Sequence, residues 1–343
     1  MKKYLVCFWL IVFFACTLRF FKLSTFPPGL YSDEAALGYN AYSILKTGRD
    51  EFGNFLPLTF RSFGDYKPPL SSYLMIPSII VFGLNEFSVR FPFALIGVLS
   101  VILIYFLALE FFREAKNKQT LALLAAFFLT ISPWHLGQSR SAMLVGLEVF
   151  FNALGVYLFL KGLKKGRWFF LSALSFSLAV YAYYGSRITA PLIIMVLLIF
   201  FRKEFLANKT NILKFLLGFI VLLPLFIAIL KNPETLLGRA KYMSIFYDRN
   251  VWGQLWEAST LDGVNFPTIL TRFFHNKIFY YGKDILKRWL QHFEWSFLFI
   301  RGDSVPPFYT PGIGLLYLID WPFLLIGIYF FIKEKIKFYK IIL

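Results

Sequence analysis

The residues able to do chemistry gather in one stretch, residues 24–92, which holds Asp33-Glu34, Arg49-Asp50-Glu51, Arg61, Asp65 and Lys67-Pro68-Pro69. Elsewhere charge is largely kept out of long apolar runs, so this polar stretch is the first place to look for function. Asp33 and Glu34 are the candidate catalytic acids. A carboxylate at a membrane surface, beside apolar residues, has its basicity raised by partial desolvation and can take a proton from a hydroxyl acceptor. Asp33 reads equally as the cap of a short helix, a place the macrodipole favours for an acid, and the two roles are compatible. Lys67 precedes two prolines that stiffen the backbone and hold it in place. A fixed ammonium at headgroup level suits a phosphate; it also suits a lysine that merely snorkels to the interface.

Arg140 closes the turn Ser132-Pro-Trp-His135-Leu-Gly-Gln-Ser139-Arg140, and Arg187 follows Tyr183-Tyr184-Gly185-Ser186. Each reads as a bidentate phosphate ligand or as the structural partner of a loop acid. Glu148 lies inside an apolar run, where an acid is costly and faces protein or a cavity; it is a candidate second acidic or acceptor position. His135, beside Trp134, is a weaker candidate for the same region. The remaining histidines, His275 and His292, lie far off, and no HExxH or CxxC occurs, so a metal is not indicated. There is no P-loop and no GxGxxG, so a nucleotide is not the expected donor, and no Ser/His/Asp signature occurs.

The elements that must position these groups are mostly apolar helices. Of the 343 residues 58% are hydrophobic and only 16% charged, which places the chain among polytopic all-α membrane proteins. About eight transmembrane helices are expected, near 4–18, 91–112, 121–134, 142–160, 168–181, 190–201, 215–230 and 312–332. The net charge of +17 comes from Lys/Arg clusters after the second, fourth, sixth and eighth of these, which sets orientation rather than marking nucleic-acid binding. With Lys2 and Lys3 inside, residues 24–92, the turns at 135–141 and 183–187, and residues 231–310 all face outward. The first run lacks a small-residue cleavage site and reads as an uncleaved anchor. Cys7 and Cys16, both in that run, form no disulfide framework. In the first outer loop a helix is expected to begin at Ser32-Asp33, with Leu37, Ala41, Ile44 and Leu45 on one face, and to stop at Gly48. A second, shorter apolar helix is expected over 70–82. Both are juxtamembrane rather than spanning.

Several of these pieces together resemble the C-type-fold membrane glycosyltransferases, namely bacterial relatives of the protein O-mannosyltransferases and lipid A aminoarabinose transferases. They are Asp33-Glu34, Lys67-Pro-Pro-Leu70, Phe82-Gly-Leu-Asn-Glu86-Phe-Ser-Val-Arg90-Phe-Pro92, Ser132-Pro-Trp-His135 with Ser139-Arg140, and His292-Phe-Glu294 through Gly302-Asp303. The resemblance implies one transmembrane glycosyltransferase-like domain over 1–343, with 24–92 and 231–310 as its outer regions. It implies a multi-pass protein of the cytoplasmic membrane whose site faces outward. It implies a polyprenyl-phosphate sugar donor and a protein, glycolipid or wall-polymer acceptor. Asp33 would serve as base, Lys67 and Arg140 would hold the leaving phosphate, and the anomeric centre would invert. Relatives often carry an acid where this chain has Leu144 and Val145, so Glu148 is the candidate replacement. Relatives also continue into further spans, so a C-terminally truncated chain is expected. The alternative reading is a transporter or flippase, which would place its polar groups nearer the membrane midplane.

Overall fold

The computed structural model describes residues 2–62, 65–231, 233, 244, 249–261, 269, 273, 275–303 and 312–333. The chain divides into two compact units, Met1–Leu230 with Ile319–Leu343, and Lys231–Leu318.

The first unit begins with α1 (Lys2–Phe20), whose apolar residues Leu5, Trp9, Leu10 and Phe13 face outward, as lipid contact requires. The first loop carries α2 (Ser32–Thr47), a short hairpin of β1 (Phe60–Ser62) and β2 (Asp65–Lys67), and α3 (Leu70–Phe82). Helix α2 stops where Gly48 turns left-handed at φ 71°, a conformation a side chain would resist. Its expected apolar face is the observed one: Leu37, Ala41 and Ile44 are buried and Leu45 packs beside them. Helix α4 (Glu86–Phe111) is opened by a reciprocal cap, in which Asn85 Oδ1 accepts the Ser88 N–H and Ser88 Oγ accepts the Asn85 N–H.

Helices α5 (Lys118–Ile131) and α6 (Pro133–Arg140) meet at a 59° bend. Proline at the first position of α6 disfavours helical geometry at Ser132, so the chain turns there. Helix α7 (Leu144–Lys164) returns as α8 (Trp168–Ala182). The two approach closely because Gly155 lies against the Phe176 ring and Gly162 against Phe169, with Ser172 and Ser175 donating to the carbonyls of Gly155 and Phe151. A turn through Tyr183, Tyr184 and Gly185 leads into α9 (Ser186–Phe200). After α10 (Arg202–Leu206), α11 (Lys209–Leu217) and α12 (Leu223–Lys231) run nearly as one.

Among the described residues, four helices are long and apolar enough to cross a membrane: Lys2–Phe20, Glu86–Phe111, Leu144–Lys164 and Lys209–Lys231. The bent pair of α5 and α6 makes five. The expectation of eight counted α8, α9 and the helix Asp320–Lys333 as full spans. Their 15, 15 and 14 residues rise only about 20 Å at 1.5 Å per residue, against a hydrocarbon layer of about 30 Å.

The unit has two chemically distinct ends. At one lie the C-terminus of α1, the starts of α2, α4 and α7, and a core of Leu37, Met75, Ile79, Val89, Phe93, Leu147 and Ala179. At the other, Phe8 of α1 stacks near Tyr105 of α4, and Lys161 and Lys164 of α7 pair with Glu110 of α4. Beside them lies an aromatic core of Phe159, Phe169, Phe201, Phe205 and Phe215. In the second unit, the helices Arg249–Leu261 and Lys277–Gln291 pack together, with Lys277 Nζ 3.9 Å over the Trp252 ring.

Candidate functional site

Asp33 sits in the first turn of α2, and Lys67 is the last residue of β2. The hairpin pairs Phe60 with Lys67 and delivers the lysine back to α2. Lys67 Nζ lies 3.0 Å from Asp33 Oδ2 and 3.1 Å from Asp65 Oδ2. The lysine side chain is only 9% exposed while Asp33 keeps 32%, so the carboxylate faces the approach and the ammonium stands behind it. The N-cap position of α2 is Tyr31 rather than Ser32 or Asp33. Asp33 is thereby available to the ion pair.

Glu34, one residue on, is turned into the protein and is 1% exposed. Arg90 grips it through Nε to Oε1 and a terminal nitrogen to Oε2, both at 3.0 Å. The Ala142 N–H donates to Oε1 at 2.8 Å and the Tyr31 N–H to Oε2 at 3.3 Å. Arg90 spends its other donors on the carbonyls of Leu23, Pro27 and Gly29. This fully hydrogen-bonded pair ties the first loop to α4 and to the start of α7, and it occupies Glu34 with structure.

Arg140 is likewise engaged: its two terminal nitrogens donate to the carbonyls of Leu18 at 2.6 Å, Phe21 at 2.9 Å and Phe26 at 2.9 Å. It closes the open end of α1, where carbonyls lack helical partners. His135 is buried, with Nδ1 2.7 Å from an Arg19 guanidinium nitrogen.

The turn between α8 and α9 lies within electrostatic reach of Asp33 and Lys67. Burial raises the Tyr183 phenol, Glu148 adds to the rise and Lys67 opposes it. Burial raises the Tyr184 phenol, Arg187 opposes this and Asp33 adds to it. Tyr31 is raised by burial and then by Asp33 and Glu34. All three phenols therefore stay neutral hydrogen-bond donors at working pH. The Arg187 guanidinium carbon lies 5.1 Å over the Tyr184 ring. Glu148 accepts the Thr189 hydroxyl at 2.7 Å. A Cβ on Gly185 would stand 3.2 Å from Glu148 Oε2, so the glycine lets the turn pass close to the acid.

The structure pairs Asp33 with Lys67 and Lys67 with Asp65, places Glu148 and Arg187 beside the Tyr183–Gly185 turn, and sets Glu34, Arg140 and His135 to other contacts. Three members were not singled out from the sequence. Asp65 lies two residues before Lys67 on a strand, hence on the same face, and that spacing was legible. Tyr183 and Tyr184 lie in a turn expected on the same side of the membrane as Asp33, but which of its side chains come within reach of Asp33 and Lys67 is set by packing. Among the described residues no group of three or more His, Cys, Asp and Glu is arranged to hold a metal.

The crystal structure of ArnT from Cupriavidus metallidurans in the apo state matches with a TM-score of 0.51 at 15% identity, over 76% of this chain and 50% of that one. More particularly, residues 66–228 match the family model of dolichyl-phosphate-mannose-protein mannosyltransferases. That segment contains Lys67, Arg140, Glu148, Tyr183, Tyr184 and Arg187; Asp33 and Glu34 precede it. A putative mannosyltransferase, YkcB, of Bacillus subtilis (strain 168) is 33% identical over 132 residues, 38% of this chain and 18% of the relative. An uncharacterized protein of Aquifex aeolicus (strain VF5) is 34% identical over 127 residues, 37% of this chain and 28% of the relative. The matches thus span less than a third of these curated relatives. The resemblance read from the motifs is borne out at the level of family match and fold.

Proposed function

We propose that this chain transfers a sugar from a polyprenyl-phosphate-linked donor to a hydroxyl acceptor, with inversion, at the outer face of the cytoplasmic membrane. The observation that carries the proposal is the ion pair of Asp33 with the nearly buried Lys67 at one end of the helix bundle. Lys67 acts on the Tyr183 phenol and Asp33 on the Tyr184 phenol, and Arg187 lies over the Tyr184 ring.

Asp33 takes the proton of the acceptor hydroxyl. The acceptor oxygen bonds to the anomeric carbon from the face opposite the phosphate. The bond from that carbon to the phosphate oxygen breaks, and its electron pair leaves with the polyprenyl phosphate. Lys67 and Arg187 hold that departing charge, which is where fixed cations favour the transition state over the ground state. Lys67 has three donors and already faces two carboxylates. An arriving phosphate draws it from Asp33 while Asp65 continues to hold it, so donor binding releases the base. Tyr183 and Tyr184 offer neutral donors and ring faces to the sugar. These charges lie at one end of the bundle, which supports transfer at a surface over passage through the bilayer.

The test is incubation of membranes containing the full chain with a panel of radiolabelled polyprenyl-phosphate sugars. One sugar should label an endogenous acceptor. Asp33→Asn should lower that rate at least about a hundredfold while leaving the protein folded, and Lys67→Ala should act mainly on donor KM. Full activity in Asp33→Asn would remove the base assignment.

A further inference from the structure

The opposite end of the first unit holds a second candidate site. A cavity of about 330 Å³ is lined by Tyr157, Leu158, Lys161, Lys164, Lys165, Arg167 and Trp168, a volume in the range of about 300–1,000 Å³ usual for small-ligand pockets. We propose that it binds the phosphate of an anionic glycerophospholipid in the leaflet opposite the Asp33 site.

Four cations converge on this cavity. Glu110 holds two of them, Lys161 at 2.7 Å and Lys164 at 2.6 Å. Lys165 and Arg167 remain to meet a ligand, and the Arg167 guanidinium is steadied 5.1 Å over the Trp168 ring. Lys214 brings a further ammonium, its Nζ 3.9 Å from the place a Cβ on Gly166 would occupy. The pocket is therefore net positive and already shaped, so an anion entering it meets little reorganisation.

Depth selects the lipid. The cavity wall is the last turn of α7, a helix long and apolar enough to span, so it lies at headgroup level. Tyr157 and Trp168 are the aromatic types favoured at that boundary. Phe170 and Leu171, next on α8, are each 39% exposed and offer an apolar path for acyl chains. Setting topology needs only a count of loop cations. It does not need them to surround one hollow, and basic pockets of this kind between spans suit anionic headgroups.

The experiment uses the full chain purified in detergent, its unfolding temperature followed against phosphatidylglycerol, phosphatidylcholine and sn-glycerol 3-phosphate. Phosphatidylglycerol should raise the midpoint saturably, and the other two should not. Lys165→Gln with Arg167→Gln should weaken the lipid effect about thirtyfold, since each cation near a charged surface contributes roughly a factor of five. Lys116→Gln with Lys118→Gln, which removes two cations from another loop, should leave it unchanged. Equal losses in the two double variants would mean diffuse attraction and overturn the site. So would an equal response to phosphatidylcholine, or binding of glycerol phosphate as strong as that of the lipid. If the first variant fails to fold, Lys165→Glu alone and native mass spectrometry of co-purified lipid decide the question in the same terms.

Discussion

Asp33 and Glu34 are neighbours in sequence with opposite surroundings. Successive helix residues point about 100° apart, so one acid of α2 faces the approach with Lys67 and the other enters the core against Arg90. A buried charge left without its partner costs about 3–5 kcal/mol. Glu34→Ala and Arg90→Ala should therefore each destabilise the chain by about that amount, read as a fall in the unfolding midpoint of the detergent-purified protein. Asp33→Asn, with its partner lysine still facing Asp65, should leave the stability within about 1 kcal/mol of wild type. If Glu34→Ala keeps its stability and loses activity, the division of labour between the two acids is reversed.

At the scale of elements, the site depends on how α2 and the β1–β2 hairpin rest on α4. Gly38 of α2 packs on Val89 of α4 so tightly that an added Cβ would lie 2.6 Å from Val89 Cγ2. The β-branched valine has little freedom to give way. Gly38→Val should cost about 1–3 kcal/mol through overpacking, and it should lift the first turns of α2, and Asp33 with them, off their seat. A drop in transfer rate larger than the drop in folded protein would be the signature. An unchanged rate per folded molecule would mean that Asp33 does not need this seating.

At the scale of the whole molecule, the first unit is organised as two charged ends separated by apolar helices. One end holds Asp33, Lys67 and Arg187. The other holds Glu110, Lys161, Lys164, Lys165 and Arg167. The excess of cations at the second end predicts that it lies in the cytoplasm. In a chain with Cys7 and Cys16 replaced by serine, Phe52→Cys should react with a membrane-impermeant maleimide in intact cells. Lys116→Cys should react only after permeabilisation. The reverse pattern would turn the proposed transfer site inward.

Much of this was legible in the residues. The apolar runs announced membrane helices, because no water-soluble fold could bury so many. Gly48 and the apolar spacing of Leu37, Ala41 and Ile44 marked out α2, because these are local properties of a helix and its end. Lys67 stood out through its prolines. Span count was less legible: α8 and α9 read as spans by hydropathy and their ends were nearly right, yet at 15 residues each they are short for a crossing. Which charges meet was not legible at all. Asp33 and Lys67 are 34 residues apart, Glu34 and Arg90 are 56 apart, and Arg140 closes α1 from across 122 residues. A residue's type states what it can do, whereas its partner is chosen by packing between distant segments. Composition and local pattern therefore determined that this is a membrane protein with an acid-and-cation loop. Only the tertiary structure decided that Asp33 pairs with Lys67 while Glu34 is buried against Arg90, and that Arg140 is spent on the carbonyls that end α1.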